Sequence, residues 1–464
     1  VKGDGRYQIR YHKDGGYDTT ATRENADINA WRVEGGLNGL LRDSSEWSIR
    51  LYSYWSARGL PGAVVANRFT NPQRLWDKNL FVQSRFRKQI GPKYALLLNM
   101  KYAYDYTRYL DKDFVTTQGS LDNRFYQHEW YFSAANHYQL MRTWDLSLAG
   151  DFQYNKLDAA MTIIDRFAYP KRYTTLAAAA TQLSLDRLNI QGSLLASFVH
   201  ETTQTSLPAP DKQEYTPAVT VAWQPFLSRD FKLRAFYKRI FRMPTLNDLY
   251  YTDIGNSNLR PEFATQYDGG FTWSPAVKGK WQLLTIQADG YYNIVKDKII
   301  AAPKGALFRW MMVNLARVEI KGLDVSVQTA WSPGDNTVLN ATAKYTLQQA
   351  RDMSSKGDSY YRQQIPYIPV HSGSFIAGAV VRNWCFNYSF IYTGERYDQS
   401  ENIPENYIQP WYSHDLSVSK RFGFRKNTVK LMAEVNNVFN QDFDVVTNYP
   451  MPGRYYRFSI QFSY

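Results

Sequence analysis

Four stretches of this chain crowd tyrosine, tryptophan, arginine and side-chain amides into a few residues each. They are Leu249-Tyr-Tyr-Thr-Asp-Ile-Gly-Asn-Ser-Asn258, Leu307-Phe-Arg-Trp-Met-Met-Val-Asn314, Ser359-Tyr-Tyr-Arg-Gln-Gln364 and Thr447-Asn-Tyr-Pro-Met-Pro-Gly453. The chemistry open to such residues is non-covalent. Flat rings cover apolar surface while amides and guanidinium groups hydrogen-bond, which suits a large ligand that is both apolar and polar. On this basis Tyr250, Tyr251, Asn256, Trp310, Tyr361 and Tyr449 are candidates for ligand capture, with Arg242, Arg309 and Arg362 as polar anchors. The competing reading of each is an aromatic girdle or loop–loop packing.

Covalent and metal chemistry have little to work with. The six histidines, His12, His128, His137, His200, His371 and His414, include no pair four residues apart such as a helical metal site uses. There is no Gly-x-Ser-x-Gly elbow and no Walker loop. The sequence therefore argues against an enzyme and calls for no cofactor. The histidines read as interfacial or lumen residues, with His200 and His371 near loop ends as the exceptions. The single cysteine, Cys385, excludes a disulfide framework and a cysteine metal site, and reads as a small residue within a strand.

The elements that hold the loops show in the chain's ending. Tyr456, Phe458, Ile460, Phe462 and Tyr464 fall on one face of an extended strand, and Tyr455, Arg457, Ser459, Gln461 and Ser463 on the other. The same alternation recurs at Tyr94–Tyr104, Leu146–Tyr154, Leu284–Tyr292, Leu339–Leu347, Trp384–Tyr392 and Val429–Val435. Each stretch is close to the roughly 9–11 residues of a tilted membrane strand. Aromatic residues make up 16% of the chain, with 36 Tyr and 13 Trp, enough for girdles at two interfaces. Mean hydropathy is −0.49, and the most apolar runs, Leu176–Leu185 and Phe375–Val381, fall short of the roughly 20 residues of a spanning helix. The formal charge of +13 is scattered among aromatics and not gathered in a stripe, which disfavours nucleic acid and suits anionic lipopolysaccharide or an anionic solute.

Short connections (Arg42–Glu46, Gln89–Lys93, Gln139–Thr143, Asp186–Leu188 and so on) alternate with long ones (Ala57–Lys78, Tyr106–Tyr126, Phe241–Glu262, Lys296–Glu319, Gln348–Gln364, Thr393–Trp411, Asn437–Gly453). This is the pattern of an all-β, antiparallel transmembrane barrel with short periplasmic turns. The spacing predicts about twenty strands, the first near Arg6–His12. Lys232, Arg234 and Lys238, and likewise Arg85 and Arg87, share the wet faces of their strands and are expected to look inward. Val1-Lys-Gly-Asp carries neither Met nor a signal peptide, so residues 1–464 read as the barrel domain of a processed or longer chain.

Particular segments resemble the family of TonB-dependent outer-membrane transporters. They are Phe241-Arg-Met-Pro-Thr-Leu-Asn-Asp-Leu-Tyr-Tyr251 with Gly255-Asn-Ser-Asn-Leu-Arg-Pro-Glu262, and Glu434-Val-Asn-Asn-Val-Phe-Asn440 with Asn448-Tyr-Pro-Met-Pro-Gly-Arg454. Arg58-Gly-Leu-Pro-Gly62 and Gln73-Arg-Leu-Trp-Asp-Lys-Asn79 are similar to its Bacteroidota members. The resemblance implies a barrel of ~22 strands, as transmembrane barrels close on even counts, of which about twenty are visible here. It also implies an N-terminal plug and a TonB box, both outside this chain, and a surface lipoprotein lid as a partner. The Asn-Asp-Leu-Tyr-Tyr layout looks closest to cobalamin transporters. Haem counterparts carry a histidine where the segment between Pro244 and Gly255 has none. Ferric siderophores stay open as solutes, and a passive porin is the rival from another class.

Overall fold

The computed structural model describes residues 2–13, 17–65, 68–116, 119–162, 167–205, 207–228, 230–250, 255–304, 309–424 and 427–463. Among them one antiparallel sheet of 20 strands forms the wall: a two-residue stub, Lys2–Gly3, and nineteen longer strands. The longer ones are β1 (Ile28–Leu40), β2 (Glu46–Leu60), β3 (Gln73–Ile90), β4 (Tyr94–Thr116), β5 (Gly119–Met141), β6 (Trp144–Ala160) and β7 (Lys171–Ser184). Next come β8 (Leu188–Thr202), β9 (Lys212–Trp223), β10 (Phe231–Arg242), β11 (Glu262–Trp273), β12 (Trp281–Lys304) and β13 (Arg309–Gly334). The last are β14 (Thr337–Asp352), β15 (His371–Val381), β16 (Trp384–Thr393), β17 (Trp411–Phe424), β18 (Asn427–Asn436) and β19 (Tyr455–Ser463). Each strand ladders with the next in chain order.

Register turns the alternation into two surfaces. Val82, Tyr102, Trp130, Tyr154, Tyr173 and His200 stand opposite one another in a row from β3 to β8. One residue along, Gln83, Lys101, Tyr131 and Gln153 form the neighbouring row on the other face. A one-residue slip would exchange the two surfaces, so the pattern fixes the register. The outer surface is oily and bare: Met100 is 50% exposed, and Leu98, Phe132, Leu148 and Phe152 lie open beside it. That is a poor arrangement in water and a good one in lipid. Trp47, Trp144, Trp223, Trp273, Trp281, Trp331 and Trp384 all stand on this face within three residues of a short turn, making a girdle at the short-turn end.

Two expectations are corrected. Arg6–His12 is no wall strand: Tyr7–Lys13 pairs with Tyr17–Arg23 as a separate hairpin at the long-loop end, where the Tyr7 hydroxyl donates to the Pro450 carbonyl (3.0 Å). A loop hairpin and a wall strand share period-two patterning, and only the partner distinguishes them. Two of the expected long loops are tall hairpins: β4 and β5 ladder from Tyr106–Tyr126 to Asp111–Leu121 and, past a register shift, again at Val115–Ser120 and Thr116–Gly119, and β12 and β13 ladder from Lys296–Arg317 up to Lys304–Arg309.

The sheet's two ends are edges. β19 ladders with β18, and β1 with β2 and the Lys2–Gly3 stub; no register pairs β19 with β1 among the described residues. Phe458 of β19 is accordingly 78% exposed. The tightly buried apolar clusters sit at the long-loop end, where loops pack on strand tips: Phe125, Leu157, Ala159, Phe167 and Leu246 form one, and Ala264, Val295, Val318, Ala350 and Ile365 another.

Candidate functional site

The segment after β10 folds into a compact tab. Thr245 caps a single helical turn, Leu246–Tyr250: its hydroxyl accepts from the Asp248 N–H (3.1 Å), and the Asp248 carboxylate accepts in return from the Thr245 N–H (2.9 Å). The turn drops Leu246 into the cluster with Phe125 and Phe167, and Leu249 into another with Leu259 and Ile299. Tyr250 is wedged between the two, its hydroxyl donating to Glu201 (3.4 Å). Burial, reinforced by the Glu201 charge, pushes that hydroxyl up to about 12. Glu201 in turn accepts from Arg172 Nε (2.6 Å) in a buried ion pair. Asn256 is likewise structural, its side chain donating to the Met312 carbonyl of β13 (3.0 Å). Arg242 reaches Asp248 (3.4 Å) and Glu262 (3.6 Å), and Asn314 ties Arg260 to Asp297 through both main-chain carbonyls (3.0 and 2.7 Å).

A second unit is a chain of stitched loops. Residues 353–370 join 394–410 through Gln364 N–H to Asn402 (2.8 Å) and Tyr367 N–H to the Tyr397 carbonyl (2.7 Å). Buried Arg396 carries the chain to 437–454, donating to the carbonyls of Asp444 (2.8 Å) and Val445 (3.0 Å), while Thr447 donates to Asp398 (2.9 Å). From there Val64 N–H reaches the Asn448 carbonyl (2.7 Å) in 61–72. Arg23, 1% exposed, donates to the carbonyls of Phe69 (3.0 Å) and Gly62 (2.6 Å). These loops bridge the two sheet edges at the long-loop end. Burial raises the carboxyl pKa of both Asp398 and Asp444, the latter opposed by the Asn448 N–H and by the charges of Arg23 and Arg396.

The motifs that carry the family resemblance serve this architecture. At Gly59 a Cβ would meet the Asn25 carbonyl oxygen at 2.3 Å, and Gly62 has φ +72° with Asn71 Nδ2 2.2 Å from the same imagined atom. Arg74 grips Asp27 with both terminal nitrogens (2.8 and 2.9 Å). Asn437 takes φ +51°, its N–H donating to Asp415 (2.8 Å) and its amide to the Gln441 carbonyl (2.8 Å).

The candidate capture residues thus divide. Arg242, Tyr250 and Asn256 belong to the tab, and Tyr251 lies outside the described residues. Arg309 and Trp310 open β13, opposite Lys304 and Pro303. Tyr361 is partly buried, while Arg362 is exposed at φ +66° with its N–H on the Asp352 carbonyl (2.7 Å); both lie in the stitched loops. Tyr449 opposes Val446 in a short hairpin there. Sequence reasoning missed Arg23, Arg396, Asp398 and Asp444, because their partners are main-chain groups or residues far along the chain. On the inner wall Arg234 meets Asp289 (2.9 Å), and Lys101 meets Glu129 (2.8 Å), which also accepts from Gln153 (3.0 Å). Four histidines lie on the oily face, three of them with Nδ1 against a tyrosine hydroxyl: His128 with Tyr102 (3.0 Å), His371 with Tyr345 (2.8 Å) and His414 with Tyr388 (2.7 Å). His200 on the same face faces Asp211 (2.7 Å).

A family model described as TonB dependent receptor-like, beta-barrel, matches residues 2–438. Among relatives, the vitamin B12 transporter BtuB of Photobacterium profundum is 23% identical over 324 residues, covering 69% of this chain and 48% of its own length. BtuB of Vibrio vulnificus is 24% identical over 220 residues, covering 47% and 31%. The chain thus spans less than half the length of these curated relatives. Among solved structures, the copper transporter OprC superposes with TM-score 0.73 at 14% identity, over 99% of this chain and 75% of that one. The ferric citrate transporter FecA, unliganded, gives 0.71 at 15%, over 98% and 75%. At such identities the structures share the fold.

Proposed function

The chain belongs to the TonB-dependent receptor-like β-barrel family and forms an outer-membrane β-barrel, and from that premise we propose that the whole protein actively imports a large, scarce solute through the bore of this wall. The observation that carries the proposal is the wall's polarity: an outer face of bare apolar side chains around an inner face of paired charges such as Arg234–Asp289 and Lys101–Glu129. In this reading a plug preceding the chain fills the bore, and the TonB complex pulls on that plug. Outer loops capture the solute by ring contact and hydrogen bonding, and no bond of the solute is made or broken. Capture falls to Tyr361, Arg362 and Tyr449 with Tyr251, Arg309 and Trp310, while Arg242, Tyr250 and Asn256 hold the tab that frames them. A surface lipoprotein closes over the loops as a lid.

For the solute we propose a corrinoid. The two relatives described above carry the name vitamin B12 transporter, and the Asn247–Glu262 layout agrees. Calorimetric titration of the full-length protein with cyanocobalamin, a ferric siderophore and haem tests the choice. Saturable corrinoid binding with TonB-dependent uptake is expected. Binding of a ferric siderophore alone would replace the solute and leave the import reading in place. Ion conductance without energy input or saturable binding would replace import by passive diffusion.

A further inference from the structure

The outward face of β3–β6 changes character toward the long-loop end. Lys156 lies twelve residues beyond Trp144 on β6, on the same face. At about 3.3 Å per residue and a tilt near 40° that is a height of about 30 Å, just past an apolar band of roughly 25 Å. Three successive rows cross the four strands there. They read Leu80–Tyr104–His128–Lys156, then Lys78–Tyr106–Tyr126–Asp158, then Trp76–Arg108–Arg124–Ala160. The cations lie on rings: Lys78 Nζ is 5.5 Å from the Tyr106 centroid and Arg108 Cζ 4.8 Å from that of Trp76. Tyr106 and Tyr126 pack at 5.2 Å, extending the shelf. Two carboxylates answer three of the four cations: Asp122, one row beyond, takes Arg108 and Arg124 (both 2.8 Å), and Asp158, on the middle row, takes Lys156 (2.7 Å). The patch keeps an excess of positive charge, with Lys78 held on the Tyr106 ring.

We propose that this shelf is a binding site for a phosphorylated glycolipid of the outer leaflet. Its phosphates meet Lys78, Lys156 and the Arg108–Arg124 pair. Its sugar rings lie on Tyr106 and Tyr126, and its acyl chains run down over Met100, Phe132 and Phe152. Charge selects the occupant: a zwitterionic or uncharged lipid would leave the excess cations unanswered at the edge of the hydrocarbon. The site is independent of the solute that the bore passes.

The test uses full-length protein purified in detergent and offered bisphosphorylated lipid A or its dephosphorylated form, with bound lipid measured by native mass spectrometry. The wild type is expected to retain the phosphorylated lipid preferentially. The double substitution Lys78→Gln, Lys156→Gln should weaken retention by about fivefold per lysine, while the lumen-face control Lys232→Gln leaves it unchanged. Equal retention of the two lipids by the wild type overturns the proposal, as does equal retention of the phosphorylated lipid by wild type and double variant. Heat-modifiable migration in gels reports whether the variant is folded, and the lipid comparison on wild type decides the matter without it.

Discussion

Removing the Glu201 carboxylate should loosen the tab and destabilise the wall beneath it. Glu201 is 2% exposed and Arg172 8%. Their ion pair sits where the tips of β7 and β8 meet the cluster built on Leu246, and Tyr250 hangs from the same carboxylate. Deleting one partner of a buried pair leaves the other charged and unanswered, at a cost of about 3–5 kcal/mol. The lost Tyr250 hydrogen bond adds about 0.5–1.5 kcal/mol. Arg172 lies at a strand tip and gains some water once Glu201 is gone, so Glu201→Ala should cost about 3 kcal/mol, the low end of that range. Arg172→Met with Glu201→Leu, which removes both charges and keeps volume, should recover most of that loss. Urea unfolding in phospholipid vesicles, followed by tryptophan fluorescence, measures both, and protease nicking within 243–261 reports the tab alone. A single variant as stable as wild type, or a double variant as unstable as the single, would refute the reasoning.

Further expectations follow from the same geometry. A Cβ at Gly322 would meet the Tyr291 ring at 2.2 Å, so Gly322→Ala should cost about 1–3 kcal/mol by overpacking. It should also break the Tyr291–Gln348 hydrogen bond (2.9 Å), and Gly322→Ala with Tyr291→Ala should remove the clash, both read by the same unfolding assay. The stitched loops should respond to pH. Asp398 and Asp444 have carboxyl pKa values raised above the ordinary 3.8, so their contribution is fully present below that value and is lost as pH rises through the higher folded values. Spin-label distances between positions 397 and 445 should therefore be narrowest below the ordinary carboxylate value and broaden as pH rises above it; the opposite trend would contradict burial as the dominant cause. Replacing Arg23 by Met should free the hairpin from 61–72 and widen spin-label distances between positions 21 and 69, because it removes the donor to Phe69 and Gly62.

The wall was legible in the sequence, since lipid on one side and water on the other impose a two-residue period that each membrane strand must obey. Above the membrane that constraint lapses. At Tyr106–Tyr126 the outward face carries Arg108, Arg124 and Lys156 beside tyrosines, the oily face no longer contrasts with the wet one, and the ladder reads as a loop. Arg6–His12 shows the converse error, an alternating segment with its partner in a hairpin. The aromatic patches fall in segments at the long-loop end, but residue type alone does not separate an open ring from one like Tyr250, which packs against two buried clusters. Arg23 and Arg396 left no local signal, because carbonyls from distant loops satisfy them.

Spin labels placed singly along β4 from Ala95 to Ala103 test the account's central claim most directly. With the protein in bilayers, positions 96, 98, 100 and 102 should be accessible to dissolved oxygen, and 97, 99 and 101 to a water-soluble nickel complex. The same accessibility on both parities, or oxygen favouring the odd positions, would contradict a wall with lipid on one face and an aqueous bore on the other.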